Sequence, residues 1–300
     1  MKRKDIYEII TEKILALIDA GVNPWHQAWK SGPRRAPQNL LSRRPYRGIN
    51  VLLLGCSPYG SPYWLTYRQA TAIGGNVRKG EKSSIAVFWK LLNGKPDPAD
   101  PERKVQIPIL RYYPVFNVEQ CEHVDYPKPD LPTFAHDPIA EAEKLVAGMP
   151  RPPTVSHAVE DRAFYRLATD TVNVPPLQRF ELAEEYYSTL FHELTHSTRH
   201  PSRLNRKAPE HDDDGTTGFG TKNYGREELV AEMGSAFLCG LAGIADSTLA
   251  NSAAYLDGWR KVIKEDTRLV VMAAAAAQKA VDYITNAEPA ELATEQSAAA

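Results

Sequence analysis

The sequence predicts an α+β fold in which a basic N-terminal α+β domain is followed by a mainly helical domain. Residues 1–96 hold 16 Lys+Arg against 5 Asp+Glu, whereas residues 97–300 hold 20 against 32. Strand-forming residues are concentrated in the first part, and helical periodicity dominates the end of the second. Such a division of charge and pattern indicates two domains with different partners. We expect a first domain at residues 1–123, a linker at 124–138, a second domain at 139–286 and a disordered tail at 287–300.

The first domain is predicted to contain two helices and a β-hairpin. Residues 6–18 place apolar side chains at i, i+3, i+4 and i+8, which is the pattern of an amphipathic helix. A shorter helix is expected at residues 66–73. Residues 84–92 and 105–117 are rich in strand formers, and turn residues at 93–98 separate them. We therefore expect a hairpin with a long loop.

The second domain is predicted to be mainly helical. A short helix at residues 139–147 precedes a possible β-segment at residues 163–174, and a strongly helical block follows at residues 182–200. A loop rich in Gly, Asp and Thr comes next. Three further helices are expected at about residues 227–241, 247–264 and 266–286.

The composition excludes an integral membrane protein and a disulfide framework. The longest apolar stretch, residues 269–277, is much shorter than the roughly 20 residues of a membrane span. Acidic residues interrupt the start of the chain where a signal peptide needs an apolar segment, so we expect a cytoplasmic protein without a membrane partner. The three cysteines, Cys56, Cys121 and Cys239, have no metal-binding or redox spacing. We expect them to be small buried side chains.

The residues that indicate chemistry are His192-Glu193-Leu194-Thr195-His196, an H-E-x-x-H motif inside the helical block. Residues i and i+4 lie on the same face of a helix, so both imidazoles can reach one metal ion. Glu193 would then lie beside the metal-bound water as the general base. This spacing predicts a zincin-like metallopeptidase site, which makes the second domain a mainly helical zincin-like domain.

A catalytic zinc requires a third protein ligand. The candidates are His200, His211, Glu227, Glu228 and Glu232. His200 lies eight residues beyond His192, too far along a helix to share its ion, whereas His211 stays open. We favour Glu228 as the ligand and Glu232, one turn later, as the acid that orients a ligand imidazole. Two His and one Glu favour Zn²⁺, and Mn²⁺ or Co²⁺ can occupy the same ligands.

Three further features of the second domain are candidates for substrate contact. Tyr224 and His200 could each donate a hydrogen bond to the oxyanion, although a structural role is equally open for both. Residues 170–175 could form the edge strand on which an extended peptide is laid, and an ordinary sheet strand is equally compatible with them.

The first domain combines cationic with aromatic residues, a combination that is typical of proteins that bind single-stranded nucleic acid. Cations can follow the phosphates while flat side chains stack on unpaired bases. Composition alone favours the alternative, in which the tryptophans belong to the core and the arginines form a solvated surface. The candidate nucleic-acid contacts are Trp25, Trp29, Arg43, Arg44, Tyr46, Arg47, Asn50, Trp64, Tyr67, Arg68, Arg78, Lys79 and Lys82.

Several motifs resemble those of ArdC-type antirestriction proteins. In the first domain they are GVNPW at 21–25, PYRGIN at 45–50, WLTYRQA at 64–70 and VRKGEK at 77–82. In the second they are YSTLFHELTHST at 187–198 and EELVAE at 227–232. The resemblance covers residues 4–285 and includes both domains in the same order.

The resemblance implies a protein of plasmids and other mobile elements that protects incoming DNA from host restriction. It implies a module that binds single-stranded DNA, joined to a zincin-like metallopeptidase domain with a host restriction-system protein as a possible target. One alternative is a protein that coats DNA and whose metal site is structural or vestigial, and another is a host-directed metalloprotease. A metal-dependent nuclease is less favoured, because such enzymes usually use clustered carboxylates.

Overall fold

The first half of the chain combines short helices with a four-stranded sheet. The computed structural model describes residues 5–20, 24, 36–97, 100–127, 138–159, 162–180, 182–206, 222–244 and 253–287. The helices of this half are α1 (Ile6–Asp19), α2 (Ile49–Gly55) and α3 (Tyr67–Ala72). Its strands are β1 (Gln38–Asn39), β2 (Tyr63–Leu65), β3 (Asn76–Val77), β4 (Ser84–Asp97), β5 (Asp100–Asn117) and β6 (Cys121–Glu122).

The predicted helices of this half are confirmed, and their starting points follow from local capping. At the start of α1, the side chains of Asp5 and Glu8 form a reciprocal capping box. At the start of α3, the Thr66 hydroxyl accepts from the backbone N–H of Gln69, and the Gln69 side chain accepts from the N–H of Thr66. Each box satisfies backbone donors that a helix leaves without partners in its first turn.

The predicted hairpin is confirmed, but the expectation of a long loop is wrong. Antiparallel pairing between β4 and β5 continues to the pair Asp97 and Asp100, with register shifts around Asn93 and Pro96. The turn-forming residues are therefore part of the paired strands, where they form bulges and not a loop. The four-stranded sheet has the order β1-β2-β5-β4, and β3 pairs separately with β6.

In its described residues, the second half contains a small sheet and five α-helices. Its strands are β7 (Thr154–Ser156), β8 (Phe164–Arg166) and β9 (Thr171–Asn173), in the order β7-β9-β8. The single predicted β-segment is therefore two strands, because Asp170 adopts a left-handed conformation and turns the chain between them. The helices are α4 (Pro138–Ala147), α5 (Ala183–Ser197), α6 (Lys222–Ala242), α7 (Ala253–Glu265) and α8 (Leu269–Ile284).

The helical elements of the second half occur in the predicted order with shifted ends. Helix α6 begins five residues earlier than expected, and residues 245–252, where α7 was predicted to begin, lie outside the described residues. Residues 288–300 of the tail predicted at 287–300 lie outside the described residues, as do residues 128–137 of the predicted linker. The predicted division of the chain into two domains stays a prediction.

Residues from both halves form one main hydrophobic core. Ile10 and Ile14 of α1 and Leu52 of α2 belong to the same buried cluster as Val270 and Ala274 of α8. Polar contacts cross the same boundary. The Thr11 hydroxyl donates to the carbonyl of Thr267 at 2.8 Å, and the backbone N–H of Gly48 donates to the side chain of Gln278 at 3.0 Å. The N-terminal helices therefore pack directly on the C-terminal helices.

The cysteines carry free thiols, as predicted. Cys239 is buried, whereas Cys56 and Cys121 are half-buried. Within the described ranges, no helix combines the length and the apolar character that crossing a bilayer requires.

Candidate metal centre

Helix α5 carries the H-E-x-x-H motif and is anchored by its buried face. Leu190, Phe191 and Leu194 on this helix are buried in the main core. These contacts fix the rotation of α5 about its axis. As a result, His192 and His196 lie one above the other on a face directed towards α6.

Helix α6 approaches α5 closely and brings acidic residues to the two imidazoles. Gly234 of α6 lies against Thr195 of α5, where an added Cβ would be 2.6 Å from two side-chain atoms of that threonine. Beside this contact, the hydroxyl of Ser235 donates to the carbonyl of Ser188 at 2.8 Å. This close packing positions the carboxylate of Glu228 across from the motif.

Three side chains provide donor atoms around one point. The Nε2 atoms of His192 and His196 are 3.1 Å apart. Glu228 places one carboxylate oxygen 3.3 Å from Nε2 of His192 and the other 3.3 Å from Nε2 of His196. Ligands at about 2.0–2.1 Å from a tetrahedral ion are about 3.3 Å from one another. The donor set and its spacing therefore fit one divalent metal ion.

The electrostatics of this cluster favour the protonated form of His196 and the ionised form of Glu228. Burial disfavours protonation of His196, but its hydrogen bonds to Glu227 and Glu228 outweigh burial and raise its pKa to about 10. Burial likewise disfavours ionisation of Glu228, yet the imidazoles of His192 and His196 hold its pKa well below the usual range. A carboxylate that remains ionised is available as a metal ligand.

Glu193 lies beside the donor cluster and is 7% exposed. Burial raises the pKa of its carboxyl, against the opposing effect of the two neighbouring imidazoles. The backbone N–H of Tyr165 in β8 also donates to this carboxylate. Glu193 therefore has a fixed position next to the three donors, as a general base requires.

Glu227 contacts the motif in a way that sequence reasoning missed. Its carboxylate lies 3.2 Å from Nδ1 of His196, on the side of the ring opposite to the metal-facing Nε2. Arg206 holds the same carboxylate through two hydrogen bonds of 2.7 and 2.9 Å. The sequence made Glu227 a candidate metal ligand but could not indicate this contact, because Arg206 comes from a different segment.

The remaining candidates of the second half have other surroundings. Glu232, predicted to orient an imidazole, is half-buried one turn after Glu228, and that role stays a prediction. Nδ1 of His200 is 2.7 Å from the hydroxyl of Ser202 in the turn after α5. Tyr224 lies in the first turn of α6, but its side chain is outside the described part of the structure, as is the whole of His211.

Of the two readings left open for residues 170–175, the structure shows the ordinary sheet strand and not the edge strand. Strand β9 occupies the centre of its sheet, because β7 pairs with it in parallel and β8 pairs with it antiparallel. Among the described strands, β8 pairs only with β9. The edge nearest to Glu193 is therefore that of β8.

The candidate nucleic-acid contacts of the first half fall into distinct groups. The exposed ones are Arg43, Arg44, Tyr67, Arg68, Arg78, Lys79 and Lys82. Tyr67 is the most exposed large side chain among the described hydrophobic residues, at 54%. Tyr46 is half-buried, and Trp25 and Trp29 lie outside the described residues. Six cationic side chains and one aromatic ring among the candidates are therefore exposed.

Several of these candidates contact other protein groups: among the exposed ones, Arg78 pairs with Glu81 at 2.7 Å and Arg43 lies over the ring of Tyr63. Trp64 is 1% exposed and packs edge-to-face on Tyr59, so its ring has no face available for a base. Asn50 is buried, where its amide exchanges two hydrogen bonds with the backbone of Val87. Arg47 forms an ion pair with Asp282 of α8.

Comparison with known sequences finds two family matches. Residues 4–116 match the family described as the N-terminal domain of anti-restriction factor ArdC. Residues 140–276 match the family described as zincin-like metallopeptidase. Together the two matches include the H-E-x-x-H helix and the cationic first half.

Individual relatives are similar along nearly the whole chain. Two proteins of Escherichia coli named DNA primase TraC are 33% identical over 299 and 300 residues, and each match covers 94% of this chain. The chain spans only 27% and 20% of their lengths. The uncharacterized protein y4eC of Sinorhizobium fredii is 32% identical over 296 residues, which are 93% of this chain and 91% of that protein.

Two crystal structures of the antirestriction ArdC protein from the R388 plasmid are similar to this fold. The metal-free structure has a TM-score of 0.71 and 35% identity, covering 95% of this chain and 100% of that chain. The Mn(II)-bound structure has a TM-score of 0.72 and 36% identity, covering 94% of this chain and 98% of that chain. The Mn(II)-bound relative agrees with a donor set that fits a divalent ion.

Proposed function

This chain belongs to the ArdC family of antirestriction proteins, and from that premise we propose that it protects incoming DNA from host restriction. In this proposal the first half binds single-stranded DNA and the second half is a metal-dependent peptidase that acts in the cytoplasm. The observation that carries the enzymatic part is the convergence of His192, His196 and Glu228 beside the buried carboxylate of Glu193. A host restriction-system protein is the substrate that the family's role favours.

Zn²⁺ is the metal we propose, because two imidazoles and one carboxylate around an open position are typical of catalytic zinc sites. When bound, such an ion supplies Lewis-acid polarisation of a carbonyl and of a water molecule. Mn²⁺ or Co²⁺ is compatible with the same ligands, and a relative holds Mn(II).

Glu193 would act as the general base and then as the general acid. Its carboxylate accepts the proton of the attacking water and passes that proton to the leaving amine. The pKa of Glu193 is raised by burial, which brings it closer to the pH at which one group must both accept and release a proton. The Tyr165 N–H keeps the carboxylate directed towards the cluster.

The edge of β8 supports a polypeptide substrate. A strand with an unpaired edge can pair with an extended peptide through backbone hydrogen bonds. Tyr165, the middle residue of β8, lies beside Glu193, so a peptide added to this strand would pass close to the donor cluster. Tyr224 and His200 stay candidates for contact with the oxyanion.

The exposed cations and Tyr67 of the first half support binding of single-stranded DNA. Cations track the phosphates without regard to sequence, whereas an exposed ring can stack only on a base that is not paired. We propose that residues 1–123 carry this function and residues 139–286 carry the metal centre.

A protection assay with Glu193→Gln separates the enzyme from a protein that coats DNA. Unmodified plasmid DNA is transferred into restricting and non-restricting hosts that express the wild type, Glu193→Gln or the control Glu185→Gln on the same helix. We expect Glu193→Gln to bind metal and to lose protection, while Glu185→Gln retains both. If Glu193→Gln protects as well as the wild type, the metal centre does not act as a peptidase in antirestriction.

Fluorescence anisotropy tests the DNA-binding part. Labelled single-stranded and double-stranded oligonucleotides are titrated with protein across a salt series, with and without chelator. We expect a preference for the single strand and a steep salt dependence that the chelator does not change. Equal affinity for both forms, or absence of binding, would contradict the assignment of the first half.

A further inference from the structure

We propose that Glu227, held by Arg206, is the positioning residue that orients His196 for metal binding. The inference rests on the proposed metal centre and adds residues that the H-E-x-x-H pattern does not include. It assigns to Glu227 the role that spacing alone favours for Glu232.

The first observation is that the two ring nitrogens of His196 contact different groups. Nε2 lies 3.1 Å from Nε2 of His192 and 3.3 Å from Glu228, in the donor cluster. Nδ1 lies 3.2 Å from the carboxylate of Glu227. An imidazole whose Nδ1–H donates to a carboxylate presents the lone pair of Nε2 to the metal. The hydrogen bond therefore selects the tautomer that the site needs.

The second observation is that Arg206 fixes Glu227 on both of its oxygens. The guanidinium donates to Oε2 at 2.7 Å and to Oε1 at 2.9 Å, which is the fork arrangement that arginine forms with carboxylates. The side chains of Glu227 and Arg206 are 13% and 14% exposed. A carboxylate held in this way cannot rotate away from the imidazole without leaving a buried cation unpaired.

The third observation is that Arg206 also binds the end of the helix that carries the motif. It donates to the backbone carbonyl of Thr195 at 2.9 Å and to the hydroxyl of Thr198 at 3.0 Å. Arg206 thus joins the C-terminal turn of α5 to the N-terminal part of α6. The contact fixes the position of Glu227 relative to His196, because each residue lies on one of the two helices.

The test compares metal affinity among Glu→Gln variants of the full-length protein. Zn²⁺ and Mn²⁺ are titrated against a competing chromophoric chelator, using the wild type, Glu227→Gln, Glu232→Gln and the control Glu185→Gln. We expect Glu227→Gln to weaken binding by about 10- to 100-fold, in the range found for groups that orient a ligand. Glu185→Gln should bind as the wild type does.

Two further readouts separate positioning from a merely structural role. The melting temperature of each metal-free variant measures folding without the metal, and the visible spectrum of bound Co²⁺ reports its coordination geometry. We expect Glu227→Gln to alter the Co²⁺ spectrum and to lose affinity beyond any change in melting temperature. The conservative variant Arg206→Lys keeps the charge but loses the fork, and we expect an intermediate affinity.

The possible outcomes distinguish this inference from the proposed function. If the wild type binds metal tightly and Glu227→Gln binds within about threefold of it, the positioning role is refuted while the metal centre stands. A larger loss in Glu232→Gln than in Glu227→Gln would assign the orienting role to Glu232 and refute the inference. If the wild type binds neither Zn²⁺ nor Mn²⁺, both the metal centre and the role of Glu227 are refuted.

Discussion

Gly234 of α6 packs directly against the side chain of Thr195 of α5. A Cβ at position 234 would lie 2.6 Å from both Cγ2 and Oγ1 of Thr195 and 3.1 Å from its Cβ. Thr195 is also fully buried, and its hydroxyl donates to the carbonyl of Phe191 at 2.8 Å, so the threonine has little room to move. The absence of a side chain at Gly234 therefore sets the distance between the helices that carry the metal donors.

Gly234→Ala is expected to weaken metal binding and to destabilise the fold. The added methyl group must push α6 away from α5, and overpacking of this kind costs about 1–3 kcal/mol. The same displacement separates Glu228 from His192 and His196. Calorimetric melting and competitive Zn²⁺ titration measure the two effects.

Gly258→Ala is the matched control, because Gly258 lies inside α7 with no heavy atom within 4 Å of an added Cβ. The better helix propensity of alanine should stabilise this variant by up to about 1 kcal/mol and leave the metal affinity unchanged. Similar behaviour of the two variants would show that the close approach at Thr195 does not constrain the site.

The sequence predicts those parts of the metal centre that depend on spacing within one helix. His192, Glu193 and His196 share a helix, so their common face follows from helical periodicity alone. Glu228 could be predicted as the third metal ligand because it lies on the next predicted helix. Arg206, in contrast, contacts α5 and α6 from the segment that follows α5, and only the packed structure brings it to Glu227.

Arg47→Ala and Arg44→Ala are expected to have opposite effects on stability and on DNA binding, although both arginines were predicted to contact DNA. Arg47 pairs with Asp282, which also accepts from Gln278 at 3.1 Å. Arg47→Ala should therefore lower the melting temperature, with a loss of about 1–3 kcal/mol, and leave the salt dependence of DNA binding unchanged. The measurements are thermal unfolding and anisotropy across a salt series.

Arg44 is exposed, so Arg44→Ala should leave the melting temperature unchanged. If Arg44 contacts a phosphate, its loss reduces the slope of log K against log salt by about 0.7 for single-stranded DNA. A reduced slope in Arg47→Ala, with an unchanged one in Arg44→Ala, would contradict this division.

The sequence could not separate the exposed from the buried N-terminal candidates, because burial depends on tertiary structure. Trp64 and Tyr67 are three residues apart in one motif, yet Trp64 is in the core on strand β2 and Tyr67 faces solvent. Asn50 is polar and still buried, because its amide completes the backbone hydrogen bonds of Val87. Composition identifies the residue types that suit DNA, and packing decides which of them remain available.

Tyr67→Ala is expected to weaken binding of single-stranded DNA while the fold is retained. Stacking of one base on an aromatic ring contributes about 1–3 kcal/mol, which corresponds to a loss of roughly 5- to 150-fold in affinity. Leu241→Ala removes a comparably exposed apolar side chain from α6 and serves as the control. An unchanged affinity in Tyr67→Ala would exclude this ring from the DNA interface.

Asp170→Asn is expected to destabilise the protein in a manner that depends on pH. The side chain of Arg203 is fully buried and donates to the two oxygens of Asp170 at 2.7 and 2.8 Å, and the Tyr165 hydroxyl donates at 2.9 Å. Asparagine tolerates the left-handed backbone of this position, where φ is 48°, so the substitution removes charge without straining the turn. The expected loss at neutral pH is about 1–3 kcal/mol.

The direction of the pH dependence follows from the carboxylate. Burial disfavours its ionisation, but the hydrogen bonds from Arg203 and Tyr165 outweigh burial and hold the pKa of Asp170 below its usual range. Stability gained from this group is therefore fully present above the unfolded pKa of about 3.9 and is lost as the pH falls through the lower folded pKa. Denaturant unfolding of the wild type and Asp170→Asn between pH 7 and pH 2 should show a difference that is constant at first and then shrinks. A difference that persists unchanged at the lowest pH would mean that the stabilisation does not come from the charge of Asp170.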